Sequence, residues 1–295
     1  MQKIVVIGRG AVGSTVLHNI KGSGEVFSLV DEERFSRLSP IVFNGETMDI
    51  PVVTPSSPFE ADLIINTVKN FSLESTLETI APFVGENTLI LPLQNGIESE
   101  EVLGERFGKE KVIRAFIASL STQREGSSVV SFSPGVITFG DEDGGESGRI
   151  VRLRDYLSTT RQPFRVSADI HHDQWLKYMS NTCFNTLTAL MEYDYGTFMA
   201  SDNLLRAVRL VAREVQTVAA AEGITITQDD IEGMIKHNIS LPPRGRSSMC
   251  DDVLALRPTE NRWFCGTLSK KAKEHGIRTP YSDLLFMLLE AKSGR

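Results

Sequence analysis

Cysteine is scarce in this chain. The 295 residues hold three, Cys183, Cys250 and Cys265, an odd number with no Cys-x-x-Cys spacing. That pattern excludes a disulfide framework and a thiolate zinc site, and reads as reduced, partly buried thiols of a cytoplasmic protein. Histidine supplies no metal site either: His171 and His172 are neighbours with no third ligand, and the pair reads as solvated loop. A basic excess is missing. The net charge of -7 and a pI of about 5.4 lack the footprint of a nucleic-acid binder. No apolar run approaches the roughly 20 residues that span a bilayer, so no membrane partner is expected. The N-terminus enters a strand pattern at once, without the apolar h-region of a signal peptide.

What the chain has is concentrated at its start. Ile4-Val5-Val6-Ile7 is a run of β-branched residues that reads as a buried parallel strand. It runs into Gly8-Arg9-Gly10-Ala11-Val12-Gly13, a Gly-x-Gly-x-x-Gly motif, and then into apolar residues at helical spacing, Val16, Leu17 and Ile20. Gly8 permits a tight turn, Gly10 lets backbone approach a pyrophosphate, and Gly13 lets the helix pack on the strand. The helix N-terminus would face the phosphates. A second strand, Glu25 to Val30, ends in Asp31, about twenty residues past the glycines, where a carboxylate bonds ribose hydroxyls. The context predicts a dinucleotide site.

Strand and helix patterns then alternate. Ile41-Val42-Phe43 meets the hairpin signal Asn44-Gly45; Ala61 to Val68 is a buried strand; helical spacing runs from Ser72 to Phe83; Thr88 to Leu93 is a strand ending in Gln94-Asn95-Gly96; a helix runs to about Phe107. Lys111 to Ala118, Val129 to Phe132 and Val136 to Phe139 are strand-like runs divided by Gly126 and Pro134-Gly135. Gly148 to Thr160 reads as helix and Phe164 to Val166 as a short strand. The sum is α/β, a doubly wound Rossmann-type sheet with a mixed edge. Beyond about Asp169 only helical patterns remain: Gln174 to Tyr193, Asn203 to Ala221, Gln228 to Lys236, Thr259 to His275 and Ser282 to Ala291. Two domains are expected, a dinucleotide-binding domain over 1–168 and an all-helical substrate domain over 169–295.

Three further groups carry candidate chemistry. Lys69 and the amide pair Gln94-Asn95 follow buried strands, at the carboxyl ends of the strands where doubly wound folds bind ligands. Lys177, Asn181 and Asn185 repeat every four residues and make one polar stripe on an otherwise apolar helix. Spacing leaves three readings open: a solvent-facing stripe, amides tying the helix to a neighbour, or a lysine beside two amides in a cleft, where it could donate a proton. Ser247-Ser248-Met249 follows a proline-rich loop with Arg244 and Arg246, and Thr259-Glu260 follows in turn. Thr259 reads as an N-cap and Glu260 as a first-turn acid; the serines with the arginines could bind a carboxylate. No Gly-x-Ser-x-Gly elbow accompanies them, so a hydrolase is not read.

Taken together, the glycine motif, Lys69, Gln94-Asn95-Gly96, the run from Trp175 through Lys177, Asn181 and Asn185, and Ser247-Ser248-Met249-x-x-Asp252 with Thr259-Glu260 resemble the ketopantoate reductase (2-dehydropantoate 2-reductase) family over nearly the whole chain. The resemblance implies reduction of the ketone of 2-dehydropantoate to (R)-pantoate with a nicotinamide cofactor, usually NADPH. It implies Lys177 as general acid, Asn181 and Asn185 at the substrate's hydroxyl end, and Ser248 at its carboxylate. Glu260 would lie near the reacting oxygen and the cofactor, and Asn95 would hold substrate and nicotinamide in register. Gly8, Gly10, Ala11, Val12, Gly13, Asp31 and Lys69 would complete the cofactor site.

Two departures qualify this. Asp31-Glu32-Glu33 stands where the family often has a basic residue, which favours NADH over NADPH, while Arg34 and Lys69 pull the other way. Arg244-Gly245-Arg246 stands where the family tends to have an asparagine, which suits a different or more acidic 2-keto acid. The alternatives are therefore a reductase of another 2-keto acid and a non-catalytic dinucleotide sensor. An apolar face, Leu204, Leu205, Val208, Val211, Val215 and Val218, is either core or the interface of a homodimer.

Overall fold

A computed structural model describes residues 1–293. The chain forms two units, Met1–Gln94 with Glu98–Ile170, and Asn95–Ile97 with the chain from His171 onward. The first carries ten strands among the described residues: β1 (Lys3–Ile7), β2 (Glu25–Leu29), β3 (Ile41–Phe43), β4 (Glu46–Met48), β5 (Val52–Val53), β6 (Leu63–Asn66), β7 (Leu89–Pro92), β8 (Arg114–Glu125), β9 (Ser128–Gly140) and β10 (Phe164–Val166).

Strand β1 is the centre of an all-parallel sheet ordered β5-β2-β1-β6-β7. Its alternating side chains enter two cores, which is why the run has no polar face. Ile4 and Val6 pack with Val16, Leu17 and Ile20 of the helix Ala11–Ile20; Val5 and Ile7 pack on the other side with Ile64, Ile80 and Phe83. The order reverses between β1 and β6, and ligands bind at the carboxyl ends beside such a switch. The doubly wound sheet is thus present.

The antiparallel strands expected at its edge form a separate sheet, ordered β10-β9-β3-β4 with β8 paired to β9. The helix Ala11–Ile20 packs against β8 and β9 as well as β1 and β2, so it lies between the two sheets. Pro134-Gly135 does not divide a strand: Pro134 pairs with Leu120 inside the β8–β9 ladder, and a bulge lies two residues before it in β9. The pairing steps from Ser121↔Ser133 to Thr122↔Ser131, leaving Phe132 outside the ladder. Gly126 does mark a turn, between β8 and β9. The helix expected over Ser72 to Phe83 is instead a chain of tight turns, 3-10 at Asn70–Ser72, Glu74–Thr76 and Ala81–Phe83 around one α turn, Leu77–Ile80. Ser75 and Thr76 hydroxyls bond the carbonyls three residues back, at 2.8 and 2.7 Å, and Pro82 has no N–H to give.

The second unit is helical around one core. Its helix Ile170–Ser180 continues through a π-helical segment, Asn181–Asn185, into Thr186–Met191. His171 and His172 lie in this helix rather than in a loop, and His172 faces Asp230 at 3.4 Å. Trp175, Tyr178, Met179, Cys183 and Phe184 are buried in the core, and Tyr178 donates its hydroxyl to Phe264 O at 2.7 Å. The helix Asp202–Ala221 turns Val208, Val211, Val215 and Val218 into the same core, so that apolar face is used within the chain. Among the described residues, no helix is long and apolar enough to cross a membrane.

Candidate active site

Each unit holds one of the groups that the sequence singles out. In the first it is the glycine loop after β1. Gly8 has φ +101°, and a β carbon there would press on Thr67 Oγ1 at 2.6 Å. The Thr67 hydroxyl donates to Ile7 O (2.8 Å) and is 3.1 Å from Gly8 O, fixing the turn to the end of β6. At Gly13 a β carbon would meet Gly8 O at 1.8 Å, whereas at Gly10 it would meet nothing within 4 Å. Two of the three glycines are demanded by the protein's own packing; the space in front of Gly10 is open. Ser14 N–H is the first to bond back, to Gly10 O at 2.9 Å, so the N–H groups of Ala11, Val12 and Gly13 have no intrahelical acceptor.

This loop borders a cavity of about 770 Å³, which also reaches Asp31, Val68, Ser72 and Ser75. Asp31 caps the short helix Glu32–Phe35, accepting Arg34 N–H at 2.7 Å, and its other oxygen is 3.4 Å from Arg34 Nε. Lys69 follows Val68 and starts the turn Asn70–Ser72.

In the second unit one amide gathers the site. Lys177 Nζ donates to Asn95 Oδ1 at 2.9 Å, Asn181 Nδ2 to the same oxygen at 3.4 Å, and Asn185 Nδ2 to Asn181 Oδ1 at 3.3 Å. The other end of the amide, Asn95 Nδ2, donates to Glu260 Oε2 at 3.1 Å. Asn95 can take this position because Gly96, at φ +98°, turns the chain sharply after it. The stripe does not face solvent: Asn181 and Glu260 are buried, and Lys177, Asn95 and Asn185 are half-buried. The π segment lies where the stripe's two asparagines are, and such bulges recur at functional sites.

Glu260 departs from the expected first-turn position. It precedes a 3-10 turn, Asn261–Trp263, and the α-helix begins only at Cys265. Asn261 is fully buried and donates its amide to Phe286 O (3.1 Å) and Glu290 Oε1 (2.8 Å), which fixes the segment. Of the serine pair, Ser247 is built into the protein: it caps the helix Ser248–Leu254 through Cys250 N–H and shares a 2.8 Å bond with the Thr188 hydroxyl. Ser248 is exposed at the first helical position, outside the amide network, and Arg244 and Arg246 are exposed in the loop before it.

A lysine held by an amide beside a buried carboxylate suits proton delivery, and an open glycine loop at a helix N-terminus suits a dinucleotide. Sequence models described as ketopantoate reductase PanE/ApbA and ketopantoate reductase PanE/ApbA C terminal match residues 4–144 and 169–293.

The chain belongs to the ketopantoate reductase family.

It is an NAD(P)-dependent oxidoreductase. The chain is 26% identical to the 2-dehydropantoate 2-reductase of Aquifex aeolicus (strain VF5), over 99% of this chain and 97% of that one. It is similar in structure to the 2-dehydropantoate 2-reductase of Geobacter metallireducens GS-15, with 28% identity, TM-score 0.86, and 98% and 99% of the two chains covered. It is also similar to D-mandelate dehydrogenase in a ternary structure with NADH and anilino(oxo)acetate, with 25% identity, TM-score 0.87, and 99% and 98% covered.

The residues of this reductase fit a dinucleotide. Of the three motif glycines, Gly10 is the one at which the protein itself leaves room, which fits the close approach of a pyrophosphate. Sequence reasoning passed over two side chains at the same cavity, Arg9 and Arg124. Arg9 was visible as a cation inside the glycine motif; Arg124 was not, because its strand was not read to its full length.

Proposed function

We propose that this reductase transfers hydride from NAD(P)H to the ketone of 2-dehydropantoate, giving (R)-pantoate. The observation that carries the reading is the amide of Asn95, whose oxygen accepts from Lys177 and Asn181 and whose nitrogen donates to Glu260. The cofactor supplies the hydride; the chain's own groups manage the oxygen on which negative charge develops. Lys177 Nζ is the general acid that gives this oxygen its proton. Asn95, by accepting from the ammonium, fixes the direction in which the remaining N–H groups point. Glu260, held by the far side of the same amide, keeps Asn95 in that orientation, and Lys177 takes its proton back from solvent after turnover. Asn181 and Asn185 bond the substrate's hydroxyl end, and exposed Ser248 bonds its carboxylate. Residues 1–168 hold the dinucleotide, through Gly8, Gly10, Ala11, Val12, Gly13, Asp31 and Lys69, and residues 169–295 with Asn95 hold the keto acid.

The likeness to D-mandelate dehydrogenase favours a second reading, reduction of an aromatic 2-oxo acid by the same groups. Initial rates at the reduced-nicotinamide band, with 2-dehydropantoate and benzoylformate in parallel, separate the two. Higher kcat/KM for 2-dehydropantoate supports the first reading, higher kcat/KM for benzoylformate replaces it, and turnover of neither overturns both.

A further inference from the structure

Of the amide pair Gln94-Asn95, the reduction as read above uses only Asn95. Gln94 is buried two residues past β7, and its amide nitrogen donates to Asn66 Oδ1 at 2.6 Å. Asn66 is the last residue of β6 and is fully buried. The Val68 N–H also donates to Asn66 Oδ1, at 3.2 Å, which fixes the oxygen end of the asparagine and hence the nitrogen end of the glutamine. The other two ends are left over: among the described residues, Asn66 Nδ2 and Gln94 Oε1 are buried with no hydrogen-bond partner. Their neighbours along the two strands, Ile65, Leu91 and Leu93, are buried and apolar. A buried amide pair satisfied at one end only is worse for stability than apolar side chains of the same size. Stability therefore does not explain why the pair is there.

What the pair holds is a strand end. Asn66 pairs with Pro92 in the parallel ladder, and the Leu93 N–H bonds Asn66 O at 2.8 Å. One residue on, the same asparagine takes the side chain of Gln94. Asn66 thus grips the end of β7 twice, once through backbone and once through its side chain. Asn95 comes next, and after it Gly96, at φ +98°, the residue type that restrains a chain least. The restraint on Asn95 has to come from the near side. We propose that Gln94 is a positioning residue for the reduction: anchored on Asn66, it fixes the backbone from which Asn95 presents its amide to Lys177 and Glu260. The proposal rests on the part given to Asn95 above. Lys177 and Asn181 both donate to Asn95 Oδ1, and Glu260 accepts from its nitrogen, so a displaced backbone at Asn95 redirects the ammonium. A misplacement of about 1 Å can cost about 10²-fold in rate. The two leftover amide atoms are the stability given up for that placement.

The test sets stability against turnover in the full chain. Gln94→Met removes the amide and keeps the length of the side chain. Its urea midpoint should equal or exceed that of wild type, because a leftover oxygen goes with the bond. Turnover is read with NAD(P)H and whichever of 2-dehydropantoate and benzoylformate the wild type reduces faster. The variant's kcat should fall about ten-fold, while KM for the keto acid and Kd for NAD(P)H stay within about two-fold. Asn66→Leu, which removes the acceptor and leaves the glutamine, should repeat the fall in kcat. The deciding variant is Gln94→Met combined with Asn95→Ala: with the asparagine amide already gone, losing Gln94 should lower kcat no further. A lowered midpoint with unchanged kcat in the folded protein would make the pair a structural tie and overturn the proposal. A full additional loss in the double variant would overturn it too, because Gln94 would then act without Asn95. Full kcat in Gln94→Met beside a loss in Asn95→Ala would fail the proposal alone. Full kcat in Asn95→Ala, or a wild type that reduces neither acid, would fail the reading of Asn95 itself, and the proposal with it.

Discussion

A β carbon at Gly13 would sit 1.8 Å from the carbonyl oxygen of Gly8. No side-chain rotation relieves that contact, because the backbone fixes the β carbon and its partner is a backbone carbonyl. Gly13→Ala must push the helix Ala11–Ile20 off β1 and loosen the core around Val16 and Leu17. The expected cost is about 3 kcal/mol, the upper range for overpacking. Gly10→Ala is the control, since nothing lies within 4 Å of its β carbon. It should change stability by less than about 1 kcal/mol, as at an exposed cap, yet weaken dinucleotide binding by ten-fold or more. Urea unfolding and calorimetry on the two variants check this. Equal stability of the two, or full NAD(P)H affinity in Gly10→Ala, would refute the division of roles.

Lys177 is the group whose removal should separate chemistry from binding. General acids contribute on the order of 10²–10⁴-fold. Lys177→Ala should lower kcat by that factor while dinucleotide affinity, a property of the glycine-loop cavity, stays within two-fold. Asn95→Ala removes the acceptor that orients the ammonium and should cost less in kcat, because the proton donor itself is still there. A non-catalytic dinucleotide sensor would give no turnover to lose; retained turnover in Lys177→Ala would move the acid to another side chain.

The glycine loop was legible in the sequence because backbone geometry forces it: positive φ at Gly8 and the Gly8–Gly13 contact leave one residue type for each. The stripe of Lys177, Asn181 and Asn185 was legible as a stripe but not as a site. Its deciding partner, Asn95, is 82 residues away from Lys177, and spacing along one helix carries no information about that. Glu260 read as a helix-start acid for a similar reason. What buries it is the anchoring of Asn261 to Phe286 and Glu290, 25 and 29 residues further on. The second sheet was hidden by Pro134-Gly135, which usually ends a strand and here lies within the β8–β9 ladder, and Arg124 was hidden because β8 runs past Ala118 to Glu125.

The cysteines give a reactivity prediction. Cys183, Cys250 and Cys265 are all without exposed surface. Burial pushes the Cys265 thiol up to about 12, and Cys183 is raised well above its ordinary value by the same cause. Thiolate is the reactive form, so at pH 8 none should react with a disulfide reagent in the folded protein, and all three should react in denaturant. Rapid labelling of any one in native conditions would show an opening that the packed core does not provide.

Asp141 gives a pH prediction with a definite sign. Its carboxylate is buried, which alone would raise its pKa, but the Ser147 N–H (3.0 Å) and Arg149 Nε (2.8 Å) hold it below the usual carboxylate range. Arg149 also reaches the carbonyls of Lys109, Glu110 and Val112, so the pair ties the helix Gly148–Leu157 to the turn that precedes β8. A carboxylate with a lowered folded-state pKa adds stability above its unfolded pKa, and that stability is lost as pH falls through the folded value. Arg149→Ala leaves the charge buried with one partner fewer, at an expected cost of about 2 kcal/mol at pH 7. At pH 4 the lone carboxyl can take up a proton and the wild-type pair has begun to lose its advantage, so the cost should shrink. Urea unfolding of wild type and Arg149→Ala at both pH values measures the difference. An equal cost at pH 7 and pH 4 would mean that Arg149 acts through its carbonyl contacts alone.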